Sequence, residues 1–181
     1  MNLKGCVITG EVVEKVRLSL ELSTLDYCWL LGIFAPTYAR IISNGKNEPV
    51  DHVHAGLIRY INKYYPDYPF KKVITQNTKG STRSLINSMR ASAKKLGPLK
   101  LQNEVLNLDE YGTIGTLLFR SYSSARHYET GSTEMTLTIG RWCNVVIECF
   151  EDGHEDRILN VIKEEAKAHR IQPDSLLPRG W

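Results

Sequence analysis

A row of basic and polar side chains is the pattern in this sequence with the clearest chemical meaning. Residues 71–100 contain eight lysines and arginines and no aspartate or glutamate. Four residues of this stretch recur at spacings of four, three and four, so they share one face of a predicted helix. They are Arg83, Asn87, Arg90 and Lys94. Such a face predicts binding to a polyanion, and the alternative is that the acidic residues of 101–181 neutralise it within the fold.

Residues typical of enzyme active sites are present, but their spacing is poor. His52 and His54 lie two apart on a predicted helix and therefore point in different directions, and His127, His154 and His169 lack metal-ligand spacing. The carboxylates that could form a nuclease-like cluster straddle a turn; they are Glu148, Glu151, Asp152, Glu155 and Asp156. No phosphate-binding glycine loop or nucleophile elbow occurs. We therefore expect no enzymatic activity, no metal and no cofactor.

Composition and cysteine usage are those of a globular protein. Apolar residues make up 42% of the chain, which is enough for a packed core. The longest apolar run, residues 29–34, is far shorter than the roughly 20 residues that cross a bilayer, and the N-terminus lacks a secretory signal. Cys143 and Cys149 lie six apart in an alternating segment, which predicts that one strand carries both into a core. We expect a cytoplasmic protein.

Two short helices are predicted before Gly32. Thr9 is placed to cap a helix over residues 10–22, in which apolar residues recur at helical spacing. Ser23 and Asp26 have the spacing of a capping box, and the apolar residues after them end at Gly32. A short second helix therefore follows the first almost directly.

Two further helices are predicted after this turn. Pro36 suits the first turn of a helix, where its missing N–H costs nothing, and Asn44 with Gly45 predicts the end of that helix. Apolar residues at helical spacing predict a fourth helix over residues 50–64, before Pro66 and Pro69. The proline pair marks a predicted domain boundary.

The rest of the chain is predicted to combine helix and sheet. A strand over 73–76 precedes a helix that Ser81 caps and that ends near Leu96. The predicted C-terminal strands cover residues 113–122, 134–139 and 142–150, the last two as a hairpin. A final helix over 155–169 follows, and the tail is expected to pack on the body or to join a partner. No internal repeat is apparent in the residue pattern.

The short helix, the Gly32 turn and the helix opened by Pro36 have the arrangement of a helix-turn-helix, whose second helix enters the major groove of DNA. This region resembles the lambda-repressor/Cro (XRE-like) helix-turn-helix superfamily. The resemblance is carried by the stretch Leu22-Ser23-Thr24-Leu25-Asp26-Tyr27-Cys28-Trp29-Leu30-Leu31-Gly32-Ile33, followed by Thr37, Arg40, Asn44-Gly45-Lys46 and Pro49. The resemblance covers roughly residues 10–65. Thr24, Phe34 and the stretch Ile41-Ile42-Ser43 depart from the family pattern.

The resemblance implies a role for each matching residue. Ala35, Pro36, Thr37 and Arg40 are expected to face base edges, and Arg40 is the strongest candidate because arginine can donate bidentately to guanine. Tyr38 is expected to reach a phosphate, and the alternative for this residue is an aromatic of the core. The DNA backbone would be held by Thr24, Ser43, Asn44 and Lys46. The basic stretch would add contacts to flanking phosphates through Lys71, Lys72, Lys79, Arg83, Arg90 and Lys94.

The predicted fold class is α+β. An N-terminal all-α helix-turn-helix domain (1–68) is followed by a basic linker and helix (69–100) and by a small C-terminal domain of antiparallel sheet and helix (101–181). The last domain is expected to dimerise or to receive an effector, by analogy with proteins that bind two DNA half-sites as homodimers.

The predicted function is that of a sequence-specific transcriptional regulator, a repressor or autoregulator of a bacterium, phage or plasmid, which binds double-stranded DNA. One alternative is a DNA-binding accessory factor of a mobile element. Another is a small enzyme or a module that inhibits an acidic protein. The basic face is also compatible with RNA.

Overall fold

The computed structural model describes residues 1–43, 45–65, 82–102 and 104–181, without the side chain of Asp174. Over these residues the chain is mostly helical, with a small antiparallel sheet. The helices are α1 Gly10–Ser19, α2 Thr24–Leu31, α3 Ala35–Ser43, α4 His52–Tyr64, α5 Thr82–Lys94, α6 Tyr111–Leu117, α7 Tyr122–Thr130, α8 Leu137–Glu151 and α9 Glu155–Ala168. Strands β1 Lys100–Leu101 and β2 Glu104–Val105 pair with each other, and a 3-10 turn covers Pro173–Leu176. The coarse α+β class is confirmed.

The four predicted N-terminal helices are present. The hydroxyl of Ser23 accepts a hydrogen bond from the N–H of Asp26 at 3.1 Å, as a cap should. Gly32 ends α2 in the left-handed region, with φ 64° and ψ 39°. The first helix ends at Ser19, before the predicted limit, and Thr9 stands at its N-cap without a side-chain capping bond. Strand 73–76 and the cap at Ser81 lie outside the described residues.

The predicted C-terminal sheet is wrong. Residues 113–122 lie mainly in α6 and the turn after it, and residues 134–139 and 142–150 lead into and form α8. In α8 every residue from Thr138 to Phe150 is buried. Its polar residues Arg141, Asn144 and Glu148 recur at the helical spacings of three and four, but they are buried with the others. Strands were predicted because Gly140 and Arg141 were interpreted as a hairpin turn between runs rich in β-branched residues.

Helix α6 contains a buried β-branched residue, Thr116, whose hydroxyl finds a hydrogen-bond partner within the helix. The hydroxyl of Thr116 donates to the carbonyl of Gly112 at 2.9 Å, one helical turn back. This local bond satisfies the hydroxyl in the interior of a helix. Cys143 and Cys149 fill the core, as expected, but from a helix and not from a strand; both are buried, and Cys149 Sγ lies 3.1 Å from the Tyr60 hydroxyl oxygen.

Helix α4 connects the N-terminal helices to the C-terminal ones. It packs against α1 and α2 on one side and against α8 and α9 on the other. The Arg59 guanidinium of α4 forms a fully buried ion pair with Glu165 of α9, with 2.9 Å between Nε and Oε2, and it also donates to the carbonyl of Leu3 at 2.7 Å. The buried apolar residues of both halves belong to one cluster.

The C-terminal tail packs on the body. The indole of Trp181 donates to the carbonyl of Thr116 at 3.0 Å and lies 4.9 Å from the Phe119 ring. Leu176 and Leu177 are buried. Among the described helices, none combines the length and the apolarity that a bilayer crossing requires.

Candidate nucleic-acid interface

The candidate site is the face of α3 that follows the Gly32 turn. The N–H groups of Gly32 and Ile33 donate to the carbonyls of Trp29 at 3.2 Å and Cys28 at 3.0 Å, which closes the end of α2. Only a residue that tolerates positive φ fits this turn without strain, and glycine does so best. Two residues later α3 begins, so its direction relative to α2 is fixed by the turn.

Helix α3 is held in place by Tyr38, which is buried. Its hydroxyl donates to the Glu14 carboxylate and accepts from Arg17 Nε at 3.1 Å, and its ring meets Tyr27 edge-on at 6.1 Å. The hydrogen bond from Arg17 is the main reason that the pKa of Glu14 is lowered. Burial raises the pKa of the Tyr38 phenol well above its usual value.

The expectation that Tyr38 reaches a phosphate is therefore corrected. Its side chain points into the protein because the aromatic ring fills the contact between α3 and the first two helices. Sequence reasoning missed Glu14 and Arg17, the two partners of this hydroxyl. Their i,i+3 spacing on α1 was the available signal, since a carboxylate and a guanidinium at that spacing form a pair.

The opposite face of α3 is open to solvent. Ala35, Pro36 and Arg40 are exposed, and Thr37 is half-buried. Within the described residues, the Arg40 side chain has neither a hydrogen-bond partner nor an ion pair. An arginine in this state keeps all its donors for a ligand, and its fork geometry suits guanine or a phosphate.

The residues expected to hold the DNA backbone have mixed placements. Thr24 is exposed at the start of α2, and Lys46 is exposed after α3. Ser43 is exposed, and its hydroxyl donates to the carbonyl of Ala39 at 2.6 Å. Asn44 lies outside the described residues, as do Lys71, Lys72 and Lys79.

The basic face of α5 is only partly available. Arg83, Asn87 and Lys94 are exposed, although Arg83 Nε donates to the Glu129 carbonyl at 3.1 Å. The expected phosphate contact of Arg90 is corrected. Its guanidinium pairs with the Glu129 carboxylate, and its Nε donates to the Leu108 carbonyl at 2.8 Å. The acidic third segment thus neutralises this one residue, and Arg90 is not free for a phosphate.

The structure brings two of the histidines together around Glu165. Glu165 Oε1 lies 2.8 Å from His52 Nδ1 and 3.1 Å from His169 Nε2, while its other oxygen binds Arg59. Two imidazoles and a carboxylate are donors that suit zinc. Here the guanidinium already supplies the charge that a buried carboxylate needs, so the cluster is accounted for as an ion-pair network.

The nuclease-like carboxylates do not form a metal-ligand group with one another among the described residues. Glu148 is buried in α8, whereas Asp152 and Asp156 are exposed. Glu151 accepts a hydrogen bond from the Ser92 hydroxyl at 3.1 Å.

Comparisons of this chain with protein-family models, with curated proteins and with solved structures found no match. The interface is therefore defined by the residues themselves: a helix that follows a glycine turn, an inner face fixed by Tyr38, and an outer face that presents Arg40.

Proposed function

We propose that the protein binds double-stranded DNA sequence-specifically and regulates transcription in a bacterium, phage or plasmid, with α3 as its reading helix. The observation that carries the proposal is the exposed Arg40, without a protein partner in the described residues, on a helix whose other face is fixed by Tyr38. Recognition in the major groove requires a helix held in a fixed orientation and a side chain whose donors are available to base edges. Helix α3 and Arg40 supply both.

Arg40 supplies the base contact in this mechanism. Its guanidinium donates two hydrogen bonds to the O6 and N7 atoms of a guanine, an arrangement that a wrong base pair does not offer. Thr37, on the same helix, is placed to contact a thymine methyl. The small side chains Ala35 and Pro36 allow the start of α3 to approach the base edges closely.

Phosphate contacts would come from exposed basic residues of both halves of the chain. Lys46 follows α3, and Arg83 and Lys94 are exposed on α5. The chain has a net charge of only +3, so its nonspecific affinity is expected to be modest, and its fall with salt should be set by the few phosphates that are contacted. Specificity therefore depends strongly on the base contacts of Arg40.

The test is competition binding to fragments of the protein's own upstream DNA at several salt concentrations. Arg40→Ala is expected to lower the preference for the specific fragment by a factor of roughly 5 to 150. Lys94→Ala is expected to weaken binding to all fragments equally and to reduce the salt slope by about one. Lys167→Ala, an exposed lysine near the end of α9, is the charge-matched control.

Two results would contradict the proposal. One is that the wild-type protein binds no fragment better than nonspecific competitor. The other is that Arg40→Ala behaves like Lys167→Ala, since an uninvolved surface charge would do the same.

A further inference from the structure

The turn between α6 and α7 repeats the backbone geometry of the turn between α2 and α3. Gly32 has φ 64° and Phe119, which stands 87 positions later, has φ 54°. In each turn the next N–H reaches back five positions, to the carbonyl of Cys28 at 3.0 Å and to that of Gly115 at 2.8 Å. These two acceptors are also separated by 87 positions. The two helix ends are therefore closed by the same motif.

The helices that follow these turns match as well. Both α3 and α7 have nine residues, and in both the first, second, fifth, sixth and ninth residues are exposed. The fourth residue, Tyr38 or Ala125, is buried in each. Near each helix end, the carbonyl of Arg40 or His127 accepts a 3.1 Å hydrogen bond from the N–H five positions on. The two helices present equivalent faces to solvent.

In both halves an arginine of the first helix holds the third helix. Arg17 of α1 donates to the Tyr38 hydroxyl of α3, and Arg90 of α5 pairs with Glu129 of α7. Helix α5 also packs against α7 and α8, as α1 packs against α3 and α4. We call α1–α4 the first unit and α5–α8 the second unit.

The two units contact each other reciprocally. A Cβ on Gly32 would lie 2.9 Å from Arg141 Cγ of α8, and a Cβ on Gly56 of α4 would lie 2.3 Å from the Phe119 ring. The turn of each unit thus packs on the fourth helix of the other: Phe119 corresponds to Gly32, and Gly56 and Arg141 are each the fifth residue of their helix. Reciprocal contacts of this kind are the mark of a two-fold relation. The repeat, absent from the residue pattern, is present in the backbone.

We infer that α7 is a second DNA-reading helix, related to α3 by this internal pseudo-two-fold arrangement; the inference rests on the proposed function of α3. The outward face of α7 is formed by Tyr122, Ser123, Arg126, His127 and Thr130, all of which are exposed.

This face has the chemistry of a DNA-binding surface. Arg126 offers the guanidinium fork that reads guanine, and Ser123 and His127 can donate to base edges or phosphates. The single carboxylate of α7, Glu129, is turned away from this face and paired with Arg90. The exposed side of α7 therefore has no negative charge of its own to repel a phosphate backbone.

One chain then carries two reading helices. The homodimer expected from the helix-turn-helix resemblance is not needed to read two half-sites, because the second unit takes the place of the partner. The two helices present different side chains, Arg40 from the sixth position of α3 and Arg126 from the fifth position of α7. The target is therefore expected to be two unlike half-sites and not a palindrome.

The test begins with selection of duplexes from a randomised library spanning about three helical turns. Sedimentation of the intact protein with the selected duplex then measures stoichiometry, and one chain per duplex is expected. Arg40→Ala and Arg126→Ala are each expected to lose base preference in a different half of the duplex, by roughly 5- to 150-fold. Lys167→Ala again serves as the control. Arg126→Lys, which keeps the charge but not the bidentate fork, is expected to lose preference while keeping nonspecific affinity.

The outcomes separate the two proposals. If Arg40→Ala loses preference while Arg126→Ala and Arg126→Lys both match the control, α7 does not read DNA and the proposed function stands. Two chains per duplex, related by a palindrome, would overturn the inference in the same way. If the wild-type protein selects no sequence, the proposed function and the inference both fail.

Discussion

The two units arrange four helices alike but cover the second of those helices differently. In the first unit, α2 and the turn after it leave large apolar side chains in solvent: Leu25 is 73% exposed, Trp29 51% and Phe34 75%. In the second unit, α6 is buried from Gly112 to Leu117. The C-terminal tail makes the difference, because the Leu176 carbonyl lies 2.8 Å from the Thr116 hydroxyl and shares its one proton with the Gly112 carbonyl.

Glycine residues allow the tail to approach α6. A Cβ on Gly112 would lie 1.9 Å from the Leu177 carbonyl oxygen, so no larger residue fits there without a shift of the backbone. Helix α2 has no glycine between Thr24 and Leu31. The same arrangement of helices thus has its second helix covered by the C-terminal tail in one unit and exposed in the other. The tail can cover α6 because a glycine lies where its backbone comes close.

The largest expected effect comes from the ion pair that ties the first unit to α9. Arg59→Met leaves the Glu165 carboxylate buried beside two histidines and without its guanidinium. Removing one partner of a buried pair costs about 3–5 kcal/mol. Urea unfolding followed by circular dichroism measures this loss. Arg40→Met, at an exposed position, should change the free energy of unfolding by less than about 0.5 kcal/mol; an equal loss in both variants would contradict the prediction.

Two tryptophans test the difference in coverage directly. Trp181→Ala removes a ring that packs on Phe119 and His52 and an indole that bonds to Thr116, so a loss of about 2–4 kcal/mol is expected. Trp29→Ala is the matched control, because that ring is half exposed and contacts the Arg141 guanidinium at 4.8 Å. It should cost less than about 1 kcal/mol. Thermal or urea unfolding of both variants gives the comparison, and a larger loss from Trp29→Ala would refute it.

Two glycines with left-handed backbone conformation, Gly32 and Gly131, test the packing between the units. Gly32→Ala adds a methyl group at φ 64° against Arg141 and Leu137, and we expect a loss of about 2–3 kcal/mol. Gly131→Ala meets the same backbone penalty at φ 73° but has open space around the new methyl group, so about 1 kcal/mol is expected. Chemical denaturation measures both. Equal losses would mean that the turn of the first unit does not press on α8.

The smallest expected effect is a pH dependence from His54, which lies between the units with its Nε2 3.4 Å from the Thr138 hydroxyl. Burial lowers the pKa of His54 below its ordinary value of 6.5. The unfolded chain therefore binds this proton more readily than the fold does, so stability is fully present above pH 6.5 and decreases as the pH falls from there through the folded pKa.

Urea midpoints measured between pH 7.5 and 5 check this sign. His54→Gln removes the titrating group and should flatten that part of the profile. His127→Gln, at an exposed histidine of α7, is the matched control for the substitution itself. A His54→Gln profile as steep as that of the wild type would exclude His54 as the cause.

The sequence predicted the first unit better than the second. Its helices α1, α3 and α4 are amphipathic, and Ser23 and Gly32 carry local signals for a cap and a turn that the structure confirms. The second unit has no such signal at its turn, because the residue with positive φ is Phe119 and not a glycine, which would have predicted a helix end there. Its helices α6 and α8 contain β-branched residues that favour strands, and Gly140 with Arg141 was interpreted as a hairpin turn.

For the candidate site, sequence reasoning identified the exposed Arg40 but misplaced Tyr38 and Arg90. Helical spacing says which residues share a face, and it does not say which partner lies opposite that face. Tyr38 meets Glu14 and Arg17, and Arg90 meets Glu129, across contacts between helices distant along the chain. Whether Arg40 contacts DNA stays a prediction.

By itself, the sequence determined the local elements whose signals lie within a few residues: the Ser23 cap, the glycine turn, and the amphipathic helices α1, α3, α4, α5 and α9. The tertiary structure alone decided which polar groups are neutralised, which helix is covered by the tail, and that two unlike stretches of sequence share one arrangement. The physical reason is that packing depends on the shape and burial of a segment's neighbours, and those neighbours are brought together from distant parts of the chain only when it folds.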